Sequence, residues 1–165
     1  MARFARPEPQ DSGHWEAPMP ADVLQNLIDT AADTPEDHTI SLPGPTGESN
    51  RLTTFARPPV LCLGPGPEAA AKQAQTIAAH GGVAVQATGQ INPEDLTALT
   101  GISGVIWWGD AGIAQACEQA LARRSGPILP LITGLPDRAR AVGERHVCVD
   151  TTAAGGNAAL LGGAA

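Results

Sequence analysis

The residues of this 165-residue chain whose types and spacing come nearest to chemistry are Gly64, Gly66 and Ala69, which follow the apolar run Val60-Leu61-Cys62-Leu63. They match the loosest form of a dinucleotide loop, G-x-G-x-x-G/A, in which free backbone N–H groups approach a pyrophosphate at a helix start. Three neighbours spoil that chemistry. Pro65 and Pro67 remove two donors, and Glu68 puts negative charge where phosphates would sit. The acid that would hold a ribose is also missing, because the second strand ends at Gln86-Ala87-Thr88. A later turn, Trp108-Gly109-Asp110-Ala111-Gly112, sets a carboxylate at the start of a helix, where it caps the helix and fills the anion position itself. No cofactor is expected to bind this segment.

Other constellations are weaker. His14, His38, His80 and His146 lack H-x3-H or HExxH spacing, so no metal site is expected. No serine lies in a G-x-S-x-G elbow, and no catalytic residue is assigned. Cys62, Cys117 and Cys148 are odd in number, far apart and each set in an apolar stretch, which reads as three buried structural thiols. The Trp107-Trp108 pair is read with one ring in the core and one against a partner. A net charge of -7, a pI near 4.9 and no Lys/Arg cluster argue against nucleic acid. No apolar run approaches the roughly 18 to 20 residues that span a bilayer, and Met1 to Gln10 carries no apolar signal region. The chain is expected to be cytosolic.

The elements that would position these residues alternate along the chain. Residues 1–20, rich in proline with Trp15 as the large apolar group, read as a linker or arm. Residues 21–37 carry an amphipathic helix, with Val23, Leu24, Leu27, Ile28 and Ala31 at helical spacing and Pro35 as its stop. Residues 38–57 read as a β-hairpin. From 58 to 150 strand and helix alternate: Val60 to Leu63, an Ala-rich helix from Pro67 to His80, Val83 to Gln86, and a short helix capped by Asn92. Gly104 to Trp108, a helix from Ala111 to Arg124, Ile128 to Ile132 and Val147 to Val149 follow, with Pro130 hinting at an edge strand. This alternation predicts an α/β, Rossmann-like, mostly parallel sheet with helices on both faces, plus a protruding hairpin and an extended C-terminal tail, residues 151–165.

Two parts of the chain have little to pack against themselves. The hairpin offers few apolar residues, and a two-stranded ribbon is marginal in water. The tail is built of small residues, a Gly155-Gly156 pair and the amide of Asn157, so a neighbouring surface must order it if it is ordered at all. An ordinary surface hairpin and a frayed terminus remain open at this stage.

Three stretches taken together resemble the C-terminal region of long proline utilization A proteins, the bifunctional proline dehydrogenase and glutamate-semialdehyde dehydrogenase family. They are Leu42-Pro43-Gly44-Pro45-Thr46-Gly47-Glu48, then Trp108-Gly109-Asp110 with the helix through Cys117 to Arg124, and then the run from Val149 to Leu160. Order and spacing agree from Ile40 to Leu161. The resemblance implies an aldehyde-dehydrogenase-like Rossmann domain without catalytic residues, which closes the cavity through which an intermediate passes between a flavin site and an NAD site. It implies partner contacts at the tail, through Thr151, Thr152, Ala154, Gly155, Gly156 and Asn157, and a hairpin, Leu42 to Glu48, that pairs with a flap of the preceding dehydrogenase domain. The implied partners are the aldehyde dehydrogenase and proline dehydrogenase domains of a parent enzyme that uses FAD and NAD. Membrane association of the parent stays open, as does whether the contacts lie within one chain or between subunits. The segment from Thr133 to Gly143 is short for the family, and no helix is counted on there.

The chain then reads either as a piece of a larger enzyme or as a separately encoded part that must find its partner. A stand-alone NAD-binding oxidoreductase and an adaptor or dimerising module unrelated to proline are the competing readings.

Overall fold

The computed structural model describes residues 13–31, 37–45 and 47–150. These fall into two compact units, one formed by 13–31 with 56–142 and the other by 37–55 with 143–150.

The first unit is a four-stranded parallel sheet with helices on both faces. Its strands are β3 (Val60–Cys62), β4 (Ala84–Gln86), β5 (Gly104–Ile106) and β6 (Leu131–Ile132), in the spatial order β4-β3-β5-β6. Register runs Val60 to Ala84 on one side of β3 and Val60 to Gly104 on the other. Side chains alternate across a pleat, so each strand feeds two cores. Leu61, Leu63, Val85, Val105 and Trp107 pack with Leu24 and Ile28 of α1 (Ala21–Ala31) and with Ala114, Cys117 and Leu121 of α3 (Ala111–Ala122). Val60, Cys62, Ile106 and Ile132 face the other way, against Ile77 of α2 (Gly66–Ala79) and Ala141 of the one-turn α4 (Arg138–Ala141). Short strands buried on both faces read as continuous apolar runs, which is why Val60-Leu61-Cys62 shows no alternation in its sequence.

Local chemistry sets where the helices begin. Asp110 Oδ1 accepts from Ile113 N at 2.9 Å, and Asn92 Oδ1 accepts from Glu94 N at 3.2 Å, each meeting one of the donors that a helix start leaves open. The segment that Asn92 opens is a 3-10 helix, Pro93–Thr97, with Leu96 buried. Pro130 precedes β6, which is an edge strand as the proline suggests, and its carbonyl still accepts from Val105 N at 3.0 Å. Among the described residues no helix is long and apolar enough to cross a membrane.

Four departures from the sequence expectations lie in the course of the backbone and its contacts. Residues 13–20 do not run as a free linker: Met19 N donates to Gln90 O at 2.8 Å, Gln90 N donates to Ala17 O at 2.9 Å, and Met19 is buried. Its thioether and Trp15 give the arm apolar surface to bury, which proline content alone hides. The short segment before Val142 does carry a helical turn, α4. Trp108 finds its hydrogen-bond partner inside the chain, donating from Nε1 to Gly134 O at 2.9 Å.

The fourth departure concerns the last strand. β7 (Val142–Asp150) forms but joins β1 (His38–Leu42) and β2 (Glu48–Ala56) in a separate three-stranded sheet of order β1-β2-β7, and it is not a fifth strand of the parallel sheet. Glu144, Arg145 and His146 explain this, since three consecutive polar residues cannot be buried on both faces.

Replacing Asp110 with Ala should lower unfolding free energy by about 1 kcal/mol, within the ordinary range for a lost N-cap. Urea denaturation followed by circular dichroism would read it, with the midpoint falling and the slope unchanged.

Candidate functional site

In an open parallel sheet, ligands sit beyond the carboxyl ends of the strands where the strand order reverses. Here that point lies between β3 and β5, flanked by the loops Leu63–Gly66 and Trp107–Asp110. Gln73, projecting from α2, is fully buried beneath the first loop. Its Nε2 donates to Gly64 O at 2.8 Å, and its Oε1 accepts from Gly64 N at 3.0 Å. Gly64 O also accepts from Trp108 N at 2.9 Å, and Trp15 Nε1 donates to Leu63 O at 2.9 Å. The polar backbone groups of Leu63 and Gly64 are thus already bonded within the chain.

Two glycines are required by this closure. Gly64 has φ of +95°, and a Cβ there would stand 2.5 Å from Gly66 N. Gly109 leaves room for the Trp107 ring, into which any Cβ would run. Trp107 Nε1 donates to Asp110 O at 3.0 Å, tying the second loop to the start of α3.

Sequence reasoning missed Gln73. Its signal was present, because Ala69, Ala70, Gln73 and Ile77 form the buried stripe of α2 and Gln73 is the one polar residue on it. A buried amide must find partners, and the backbone of the turn supplies both.

Two thiols are placed far from reactivity. Burial pushes Cys62 from an ordinary value of 9.0 up to about 12, and it pushes Cys117 to about 11 with help from the charges of Asp110 and Glu118. Cys148 differs from the expectation of a buried thiol, for it is exposed on β7. Among the described residues no group of three or more His, Cys, Asp and Glu side chains could hold a metal ion.

The residues read as partner contacts lie elsewhere, on the second unit. β1 and β2 pair antiparallel, with Leu42 opposite Asn50, Ile40 opposite Leu52 and Thr39 opposite Thr53. Thr39 and Thr53 share a hydroxyl hydrogen bond of 2.8 Å across the ladder. Leu42, Pro43, Gly44, Pro45, Gly47 and Glu48 form the tip, where Glu48 N donates to Pro45 O at 3.0 Å and Gly47 takes φ of +95°. A Cβ on Gly44 would meet Asn50 Nδ2 at 2.5 Å, so the loop folds tightly back on its own strand. Thr46 and the tail positions Thr151, Thr152, Ala154, Gly155, Gly156 and Asn157 lie outside the described residues.

β7 ends at Asp150, immediately before the tail motif, and shares a sheet with the hairpin. The strand that leads to the tail and the hairpin are therefore parts of one ladder. Gly143 is needed at its start, because a Cβ would stand 2.5 Å from the Phe55 ring.

This sheet has almost no interior of its own. Every buried hydrophobic side chain among the described residues belongs to the first unit, whereas Ile40 is 42% exposed, Val147 38% and Val149 45%. Thr53 is its buried side chain, and Arg145 reaches Asp37 at 3.9 Å between two exposed groups, a contact of small energetic weight.

No protein-family model matches the chain. It is 31% identical over 171 residues to Bifunctional protein PutA of Salmonella typhimurium, an alignment that takes in 89% of this chain and 13% of that protein. The chain is homologous to a segment of PutA. It spans 13% of that relative's length, so it corresponds to one part of a much larger protein. Two solved structures superpose on part of the chain. A crystal structure of a Bradyrhizobium japonicum proline utilization A (PutA) mutant superposes with a TM-score of 0.43 at 24% identity, covering 57% of this chain and 13% of that one. A crystal structure of bifunctional proline utilization A (PutA) protein superposes with a TM-score of 0.43 at 22% identity over 67% of this chain and 14% of that one.

Two measurements test the site as described. Gln73→Leu removes the acceptor of Gly64 N–H and one of the two donors to its carbonyl, and should cost about 1–3 kcal/mol in urea unfolding, the penalty for a buried group left unpaired. Iodoacetamide at mildly alkaline pH should label Cys148 alone until the chain unfolds. The sign of the accompanying pH effect follows from the raised thiol values. The folded state keeps Cys62 protonated while the unfolded state ionises it, so the thiol's contribution to stability is whole below pH 9.0 and declines from there to about 12.

Proposed function

We propose that this chain acts as a non-catalytic closing domain of a bifunctional proline-catabolic enzyme that oxidises proline to glutamate with FAD and NAD held in its other domains. In this reading the hairpin, Leu42 to Glu48, lies against a flap of the aldehyde dehydrogenase domain. The tail, through Thr151, Thr152, Ala154, Gly155, Gly156 and Asn157, covers the cavity through which the intermediate passes.

The observation that carries the reading is the three-stranded sheet, in which no hydrophobic side chain is buried among the described residues and whose last strand precedes the tail motif in sequence. Three strands need an apolar face packed on something to be stable, and Ile40, Val147 and Val149 supply apolar area with nothing of the sheet's own to cover it. Homology to a segment of PutA names the kind of protein that would cover it. Glycines at 155 and 156 would allow close approach of two backbones, with the Asn157 amide and the threonine hydroxyls bonding to the partner's main chain.

The same reading gives the parallel sheet no nucleotide. Its first turn has spent the N–H and C=O of Gly64 on Gln73 and Trp108, and two prolines stand where cradling donors would be. Calorimetry with millimolar NAD should therefore give no binding heat, and a saturable signal would revive the competing reading of an oxidoreductase.

The main test is kinetic. Co-expression of the chain with the proline dehydrogenase and aldehyde dehydrogenase domains should shorten the lag before NADH appears from proline, and truncation after Asp150 should bring the lag back. An unchanged lag with the full chain present would sink the proposal. Ile40→Glu should weaken association with those domains by about tenfold or more, since a buried carboxylate without a partner costs at least about 1–3 kcal/mol. Co-purification at graded salt would read it.

A further inference from the structure

The crevice between β3 and β5 holds a piece of the chain itself. Trp15 lies over the end of β3 with its indole N–H on Leu63 O at 2.9 Å, and Gly13, with φ of +86°, lies beside Gly66. Further along, Pro18 forms a parallel bridge to Gln90, flanked by the two main-chain hydrogen bonds that link Ala17 and Met19 to Gln90. Met19 is 4% exposed, and its Sδ accepts from Thr88 N at 3.4 Å.

The receiving surface is shaped for such a segment. Gly89 admits it, because a Cβ there would stand 2.8 Å from Ala17 O and 3.1 Å from Met19 N. The Trp15 ring shares the lining of a cavity of about 40 Å³ with Leu63, Ile91, Trp107, Ile113 and Cys117, mostly apolar, and with Gln90 as its polar side. An aromatic body with one polar tip suits a pocket with apolar walls and a single carbonyl acceptor. Strand-like pairing then supplies affinity that does not depend on side-chain identity.

We propose that this crevice is a peptide-binding site for an extended segment anchored by an aromatic residue, filled in cis by Gly13 to Met19. The position at which a parallel sheet usually receives a small ligand has become the receptor for the arm. The arm is thereby held at one end of the sheet by a side-chain anchor and a backbone clamp two to four residues on. A second segment of the same type, offered in trans, binds the site more tightly once the cis anchor is removed. This proposal does not depend on any role in proline oxidation.

The test uses the full chain carrying Trp15→Ala, with amide hydrogen exchange as the readout and a synthetic peptide of residues 13–20 as the probe. Exchange of the Met19 and Gln90 amides should rise about tenfold or more in the variant while the α3 amides stay protected, and the peptide should restore protection at Gln90. The same peptide with alanine at its Trp15 position should bind about tenfold more weakly, and the wild-type chain should bind the unaltered peptide about tenfold more weakly than the variant does. Unchanged exchange at Met19 and Gln90, or equal peptide binding by wild type and variant, would overturn the proposal. Should α3 lose protection as well, Trp15→Phe decides, for it keeps the ring and deletes the N–H. Faster exchange confined to Met19 and Gln90 supports the site, and exchange matching wild type refutes it.

Discussion

The amide of Gln73 and the backbone of Gly64 exchange two hydrogen bonds in the interior of the parallel sheet, and the architecture around them depends on that pairing. A strand that ends beneath a helix start leaves a turn whose N–H and C=O groups point into a space too dry for water to satisfy them. Dinucleotide-binding proteins satisfy such a turn with a ligand. Here a side chain does it, so the turn is complete as folded and the loops after β3 and β5 can close on each other through Trp108 N and Gly64 O. That closure places the Trp107 ring in the core, leaves Gly109 no room for a side chain, and creates the surface on which the Trp15 arm rests.

The two compact units divide the physical work unequally. The unit built on β3 to β6 holds every buried hydrophobic side chain among the described residues, in two clusters that the alternation of its strands keeps on opposite faces. The sheet of β1, β2 and β7 has ladder hydrogen bonds and cross-strand pairs such as Thr39 with Thr53, yet it lacks apolar burial of its own. Ladder hydrogen bonds contribute little net free energy in water, since the unfolded strands bond to solvent equally well. Ile40, Val147 and Val149 therefore stand out as exposed apolar side chains on a sheet whose described residues bury one side chain, Thr53.

Much of the first unit was legible in the residues, because its determinants are local. Pro93 behind Asn92, Asp110 before Ala111, and continuous apolar runs at Val60 and Val105 each specify a cap or a doubly buried strand from a few adjacent positions. The prolines and acid of the turn after β3 were equally visible in the residues. The pairing of that turn with Gln73 was not, since that needs the helix folded back over the turn nine residues away in sequence. That residues 13–20 pack as an arm and not as a free linker was hidden for a related reason: Met19 and Trp15 are two apolar residues among prolines, and only the folded surface, with residues from Leu63 to Cys117 brought together, gives them something to bury against. The hairpin tip was legible through its glycines and prolines, while the tail positions lie outside the described residues.

What the sequence alone determined is the set of short-range choices: helix starts and stops, the α/β alternation and the resemblance carried by three motifs. What only tertiary structure decided is the partnership of segments far apart in the chain. β7 is the sharpest case, because Val147 and Val149 are as apolar as a core strand and the nearest sheet in sequence is the parallel one. Strand pairing is settled by which edge can accept a strand with Glu144, Arg145 and His146 in it, and that is a property of the assembled sheets, β2 offering an edge where polar side chains stay in water.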